Sequence, residues 1–202
     1  MSSSSTHARV LVVYSTQHGS TRNIAERVAG TLRTRGFAVD VHDVAAPVQP
    51  VIGEYRAALL AAPIHMGRHA KDFVAFVVRN RDALARMASA LLSVSLTQIT
   101  LDSATASDEQ RRLARDALQQ VLATFIARTG WRPGQVSSIA GSLAYTRYNW
   151  FVRWMMKRIA RKQGGSTDTS RDHVYTDWIA LEQFVVTFAT GLDGTAHAVA
   201  VA

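Results

Sequence analysis

The densest set of groups able to do chemistry is Ser15-Thr16-Gln17-His18-Gly19-Ser20-Thr21, followed by Arg22 and Asn23. Four hydroxyls and a glycine at the start of a helix can cradle a phosphate, because helix amides lacking intrahelical partners and a partial positive charge gather there. Gly19 lets the backbone approach, and Arg22 adds long-range attraction. The plainer alternative is that Ser20 or Thr21 only caps the helix. A second cluster, Tyr145 to Lys162, mixes Tyr148, Trp150, Phe151 and Trp154 with Arg147, Arg153, Lys157 and Arg161. Across residues 145–172 seven Lys or Arg stand against two Asp, which is most of the chain's net +8.

The elements that must position these groups follow from hydropathy. Val10-Leu11-Val12-Val13-Tyr14 is a β-branched run of the kind buried on both faces in a parallel sheet. Ile24, Ala25, Val28 and Leu32 then recur at helical spacing, and Gly36 ends that helix. Further strands are predicted at 37–41, 59–62, 91–95 and 136–140, and helices from 73, from Ser107 to Gly130, and at 178–188. Ser107 and Gln110 have capping-box spacing, and Ala114, Ala117, Leu118, Val121, Leu122 and Phe125 are the expected core face. Alternation of this kind predicts a doubly wound α/β domain with right-handed crossovers. Its span is 8–190, with loose tails at 1–7 and 191–202. Residues 142–172 break the rhythm and form an insertion between the fifth strand and the last helix.

Composition narrows the chemistry. With no cysteine, thiolate catalysis, disulfides and iron–sulfur clusters are excluded. The seven histidines show no metal-ligand spacing, so no metal is expected. The basic excess favours an anionic partner. No stretch reads as a signal or a membrane span, so a cytoplasmic protein that meets the membrane at its surface is expected.

In open α/β sheets ligands bind beyond the carboxyl ends of the strands, which is where the 15–21 loop falls. The dinucleotide and nucleoside-triphosphate glycine signatures are absent, as are the acids of a phosphoryl-receiver site. The common remaining ligand of a neutral hydroxyl-rich loop is the terminal phosphate of FMN. The loop resembles that of the flavodoxin family, with His18 where the usual pattern has Thr. This resemblance implies a five-stranded flavodoxin-like sheet in order 2-1-3-4-5. It also implies that two further loops hold the flavin ring, Pro63-Ile64-His65-Met66-Gly67 and Val94-Ser95-Leu96-Thr97. Neither loop has an aromatic ring cover, so His65 or Met66 is expected over one face and Leu96 over the other, leaving the flavin open to a substrate.

As a helix, the 150–162 segment puts Arg153, Lys157 and Arg161 in one row and Phe151, Val152, Met155 and Ile159 opposite, with Trp150 and Trp154 at the boundary. That arrangement suits the surface of an anionic membrane. A solvated basic helix packed on the sheet is the alternative, and nucleic acid is the disfavoured partner.

Ala140-Gly141-Ser142-Leu143, Tyr145, Arg147-Tyr148, Trp150, Gly164-Gly165-Ser166-Thr167-Asp168-Thr169 and Val174-Tyr175-Thr176-Asp177-Trp178 resemble the menaquinone-dependent protoporphyrinogen oxidase family. Trp131-Arg132-Pro133 belongs to the same likeness, which runs from about Val10 to Phe188. The resemblance implies a peripheral flavoenzyme of haem biosynthesis that oxidises protoporphyrinogen IX and passes electrons to menaquinone or ubiquinone. Tyr145, Tyr148 and Trp150 then contact the macrocycle, and Arg147 or Arg153 pairs with a propionate. His65 and His69 are the candidate bases, each with a plainer structural reading. A flavodoxin-type electron carrier, another FMN-dependent quinone reductase and a flavin-free binding module stay open as rivals, and the choice between monomer and homo-oligomer stays open with them.

Overall fold

The computed structural model describes residues 8–200, the side chains of Lys162 and of 193–200 excepted. Five parallel strands form the central sheet: β1 (Arg9–Tyr14), β2 (Ala38–Asp43), β3 (Ala57–His65), β5 (Ala88–Ser95) and β6 (Gln135–Ala140). Their order, β2-β1-β3-β5-β6, is the 2-1-3-4-5 order that the flavodoxin resemblance implies for five parallel strands. A sixth strand, β4 (Arg68–His69), was not expected; it folds back antiparallel on the end of β3.

Strand alternation explains why β1 carries no polar face. Val10, Val12 and Tyr14 enter one core with Ile24, Val28 and Leu32 of α1 (Ser20–Thr34) and Leu181, Val185 and Phe188 of α6 (Trp178–Ala200). Leu11 and Val13 point the other way, into a core with Phe73 and Val77 of α2 (Lys71–Ala85) and Phe125 of α4 (Asp108–Thr129). Both predicted punctuation signals on α4 are present. Ser107 Oγ accepts from the Gln110 amide while the Gln110 side chain accepts from the Ser107 amide, and Gly130 closes the helix at φ 67°.

The last helix runs past its expected end. Leu192 is buried, one turn on from Phe188 and Ala189, so the apolar face outlasts Gly191 and the segment 191–200 is helical rather than a loose tail. The expected tails at 1–7 and 201–202 lie outside the described residues. A short α3 (Thr97–Asp102) follows β5 directly.

The insertion has its own small core. β7 (Ser142–Leu143) pairs antiparallel with β8 (His173–Val174), closing the ends of the segment together. Between them lie a 3-10 turn, Tyr145–Arg147, and α5 (Trp150–Lys162), capped by Asn149 accepting from the Val152 amide. Leu143, Ala144, Tyr145, Tyr148 and Ala160 are buried together, with Val152, Met156 and Tyr175 against them.

Candidate active site

A cavity of about 380 Å³ opens at the carboxyl ends of β1, β3 and β5. Such a volume falls within the range of small-molecule sites. Three of its walls are the three predicted loops: Thr16, Gln17, His18, Ser20 and Thr21; Pro63 through Gly67; and Val94 through Thr97. Ser15 and Gly19 are not in the wall. Ser15 is buried, its amide donating to Ala61 O at 3.1 Å, and Gly19 turns the chain at φ 87° with its amide on Thr16 Oγ1 at 2.9 Å.

Several features fit this cavity to a phosphorylated, ring-bearing ligand. The residue preceding α1 is Gly19, which has no side chain to cap the first-turn amides, and no acid stands in that turn. The amides therefore remain available to an anion. Ser95 Oγ is buried at the wall without a hydrogen-bond partner. A Cβ at Gly141 would lie 3.1 Å from Val94 Cγ1, so glycine suits the close approach of these two segments and a larger residue would push the Val94 side chain aside by a few tenths of an ångström.

The middle loop is a tight hairpin, a feature hidden from the sequence reading because the turn residues are Met-Gly. Ile64 pairs with His69 and His65 with Arg68, leaving Met66 at φ 50° and Gly67 at φ 74°. Two successive positive φ values are the demand of a type I′ turn. Met66 meets that demand against its own preference and is 94% exposed.

His69, a candidate base, is only 2% exposed and lies outside the wall. Its Nδ1 is 3.2 Å from Pro63 O, which can only accept, so Nδ1 carries the proton and Nε2 takes a hydrogen bond from Ser93 Oγ at 3.3 Å. The rings of Phe73 and Phe125 flank it, and burial pushes its pKa down to about 4. It is a neutral strut beneath the Pro63 carbonyl, not a base facing the ligand. His65 is in the wall; the crowding of its ring lowers its pKa, and nearby His18 adds to the effect.

The fourth wall comes from places the sequence reading assigned elsewhere. Ala117, Leu118 and Val121 of α4, expected in the core, face the cavity; Ala114 and Phe125 are the residues of that set that are fully buried. Met155, Met156 and Ile159 of α5 line it, along with Tyr148. Tyr148 thus brings to the cavity wall an aromatic ring that the 63–67 and 94–97 loops lack. Its hydroxyl accepts from the Ala144 amide at 3.3 Å and its ring meets that of His18 at 5.1 Å.

Three more sequence expectations are corrected here. Tyr145 is buried in the insertion core, its hydroxyl donating to Ser166 O at 3.0 Å, and does not reach the cavity. Arg153 is not part of an outward cationic row, because Nε donates to Tyr145 O and Nη2 to Tyr148 O, each at 3.1 Å. The outward face of α5 instead mixes Trp150, Phe151, Trp154, Arg158 and Arg161, with the Arg158 guanidinium 5.3 Å from the Trp154 ring centroid. Trp154, Lys157, Arg158 and Arg161 border a second, shallow concavity, while Trp150 is 80% exposed and away from both. Arg147 reaches the first loop, with Nη1 donating to His18 O at 3.4 Å.

Among the described residues no helix is long and apolar enough to cross a membrane, and no three His, Asp or Glu side chains stand close enough together to hold a metal ion.

Comparison with known proteins shows the fold and the family. The solved flavodoxin 1 of Bacillus cereus aligns over 91% of this chain and 98% of its own, with a TM-score of 0.51 at 14% identity. A Streptococcus flavodoxin aligns over 91% and 99%, with a TM-score of 0.50 at 18% identity. These likenesses establish the fold. At the sequence level, the flavodoxin-domain family model matches residues 11–170. The chain is 34% identical over 176 residues to protoporphyrinogen IX dehydrogenase [quinone] of Escherichia coli K12, covering 87% of this chain and 92% of that protein. The protein of the same name from Leishmania major is 33% identical over 182 residues, covering 90% and 74%. The chain therefore belongs to the flavodoxin-domain family, among its protoporphyrinogen IX dehydrogenase [quinone] members.

Proposed function

We propose that this protein is an FMN-dependent oxidoreductase that converts protoporphyrinogen IX to protoporphyrin IX and passes the electrons to a membrane quinone, a step of haem synthesis. One observation carries the reading: the uncapped, hydroxyl-rich start of α1 opens into the same cavity whose far wall is the apolar side of the insertion. A phosphorylated flavin fits the first feature, and a macrocycle or quinone the second.

The chemistry FMN would supply when bound is two-electron transfer from substrate to quinone, so the six-electron oxidation would take three rounds and reduce three quinones. The protein's residues do the rest. Thr16, Ser20 and Thr21, with the first amides of α1, hold the phosphate. Pro63 to Gly67 and Val94 to Thr97 flank the ring, where Ser95 Oγ gains the partner it lacks. Met155, Met156, Ile159, Leu118 and Val121 make an apolar wall for a large hydrophobic ligand, and methionine adapts to more than one shape, which suits a site serving two ligands in turn. His65, kept neutral near pH 7, accepts the proton that leaves the tetrapyrrole at an imidazole nitrogen.

The outward face of α5 rests on anionic lipid, with Trp150 and Trp154 at headgroup depth and Lys157, Arg158 and Arg161 near the phosphates. Converting the three cations to Glu is expected to release the protein from anionic vesicles, and unaltered partitioning would refute that role. The activity itself is tested by anaerobic mixing of FMN-loaded protein with protoporphyrinogen IX. Bleaching of the flavin absorbance and its return on adding menaquinone are expected; an unbleached spectrum refutes the assignment.

A further inference from the structure

We propose that Arg147, carried by the insertion, is the cation that recognises the terminal phosphate of the flavin, so that the insertion itself selects FMN over unphosphorylated flavin. This rests on the FMN reading above and goes beyond it, since nothing in a neutral hydroxyl-lined loop requires a partner from so distant a segment.

The backbone around Arg147 is pinned on both sides. Before it, Tyr145 is buried with its hydroxyl on Ser166 O. The amide and hydroxyl of Thr146 both donate to Asp172 Oδ1, at 2.9 and 2.8 Å. After it, the Arg153 guanidinium holds the carbonyls of Tyr145 and Tyr148. A side chain launched from so fixed a base has few places to go, and this one crosses to the first loop.

There it is poised but barely engaged. Nη1 lies 3.4 Å from His18 O and 3.5 Å from where a Cβ on Gly19 would stand. The guanidinium carries five donors in a planar fork, and this long bond occupies one of them. The carboxylate nearby, Asp172, is committed to Thr146, whose two hydrogen bonds hold its pKa low. What the exposed fork faces is the turn whose following amides are uncapped. A dianion bound at those amides would meet the guanidinium donors at the His18–Gly19 turn, which suits a phosphate.

The placement has a structural consequence. Tyr148, next in chain but one to Thr146, lines the cavity and touches the His18 ring, so a phosphate gripping Arg147 also draws the insertion against the ring pocket.

Arg147→Gln tests this without turnover. Flavin fluorescence quenching gives the dissociation constants of FMN and riboflavin for the wild type and the variant. The expected result is about a tenfold loss for FMN at low ionic strength, shrinking as salt is added, and less than about a twofold change for riboflavin. Arg147→Lys should fall between. Tryptic cleavage at Arg158 and Arg161 gives a second readout: FMN should protect more than riboflavin in the wild type and equally in the Gln variant. An unaltered FMN-to-riboflavin ratio overturns the proposal, including the case where only the KM for protoporphyrinogen rises, which would return Arg147 to a substrate carboxylate. A wild type that binds neither flavin overturns the FMN reading itself, an outcome separate from an FMN-binding protein indifferent to Arg147.

Discussion

Acid should loosen this fold through a single buried histidine. His69 is neutral in the folded protein, with a pKa lowered from 6.5 to about 4 by burial, while in the unfolded chain it titrates normally. The unfolded state therefore binds more protons between those two values, so folding stability falls as pH drops through about 6.5 and stops falling below about 4. At roughly 1.4 kcal/mol per pH unit, lowering the pH from about 7.5 to about 5 removes about 2 kcal/mol through this group. For a chain of this length that corresponds to a fall in Tm on the order of 4–8 °C. Other groups titrate too, His65 among them, so the decisive quantity is a double difference. His69→Asn abolishes the titration and keeps a donor close to Pro63 O. Urea denaturation of wild type and variant at the two pH values should show about 2 kcal/mol less acid sensitivity in the variant, even though the variant starts out less stable. Equal pH dependence in the two proteins would refute the assignment of His69 as a neutral strut.

Other substitutions probe the remaining elements. Met66→Asn relieves a left-handed backbone that methionine tolerates poorly and should stabilise the apoprotein by about 0.5–1 kcal/mol in chemical denaturation. Arg153→Ala removes two charge-assisted bonds to backbone carbonyls at a half-buried site. It should make the insertion cleave faster with protease while the sheet unfolds at nearly the same denaturant concentration, the local loss being about 1–3 kcal/mol. Ser107→Ala breaks the capping box of α4 and should cost about 1 kcal/mol, read as a fall in Tm of about 2–4 °C.

What the sequence made legible was whatever a local rule decides. The continuous apolar run 10–14 announced a strand covered on both faces because no polar residue interrupts it, and alternate residues do enter two separate cores. Ser107, Gln110 and Gly130 bracketed α4 correctly because caps are satisfied within a few residues of chain. The first loop was legible because its hydroxyls, its glycine and the strand before it are contiguous. The β4 hairpin was not, since Met-Gly lacks the Asn-Gly or Asp-Gly signature of its turn type.

The site was less legible than the fold for a reason that bears on how it works. Periodicity states that a helix has an apolar face; it does not state what that face meets. Ala117, Leu118 and Val121 repeat like core residues, yet they bound a cavity, because the insertion stands off from α4 and leaves the space open. The helical wheel of α5 likewise sets Arg153 beside Lys157 and Arg161, but tertiary packing rotates Arg153 inward to tie down Tyr145 and Tyr148. A protein built only to stabilise itself would have closed α5 onto α4 and buried both faces, gaining roughly 25 cal/mol for each Å² of apolar surface so removed. Here Met155 and Ile159 stay partly wet, in line with Leu118 and Val121, and the apolar area that is forgone is the area a hydrophobic ligand would cover.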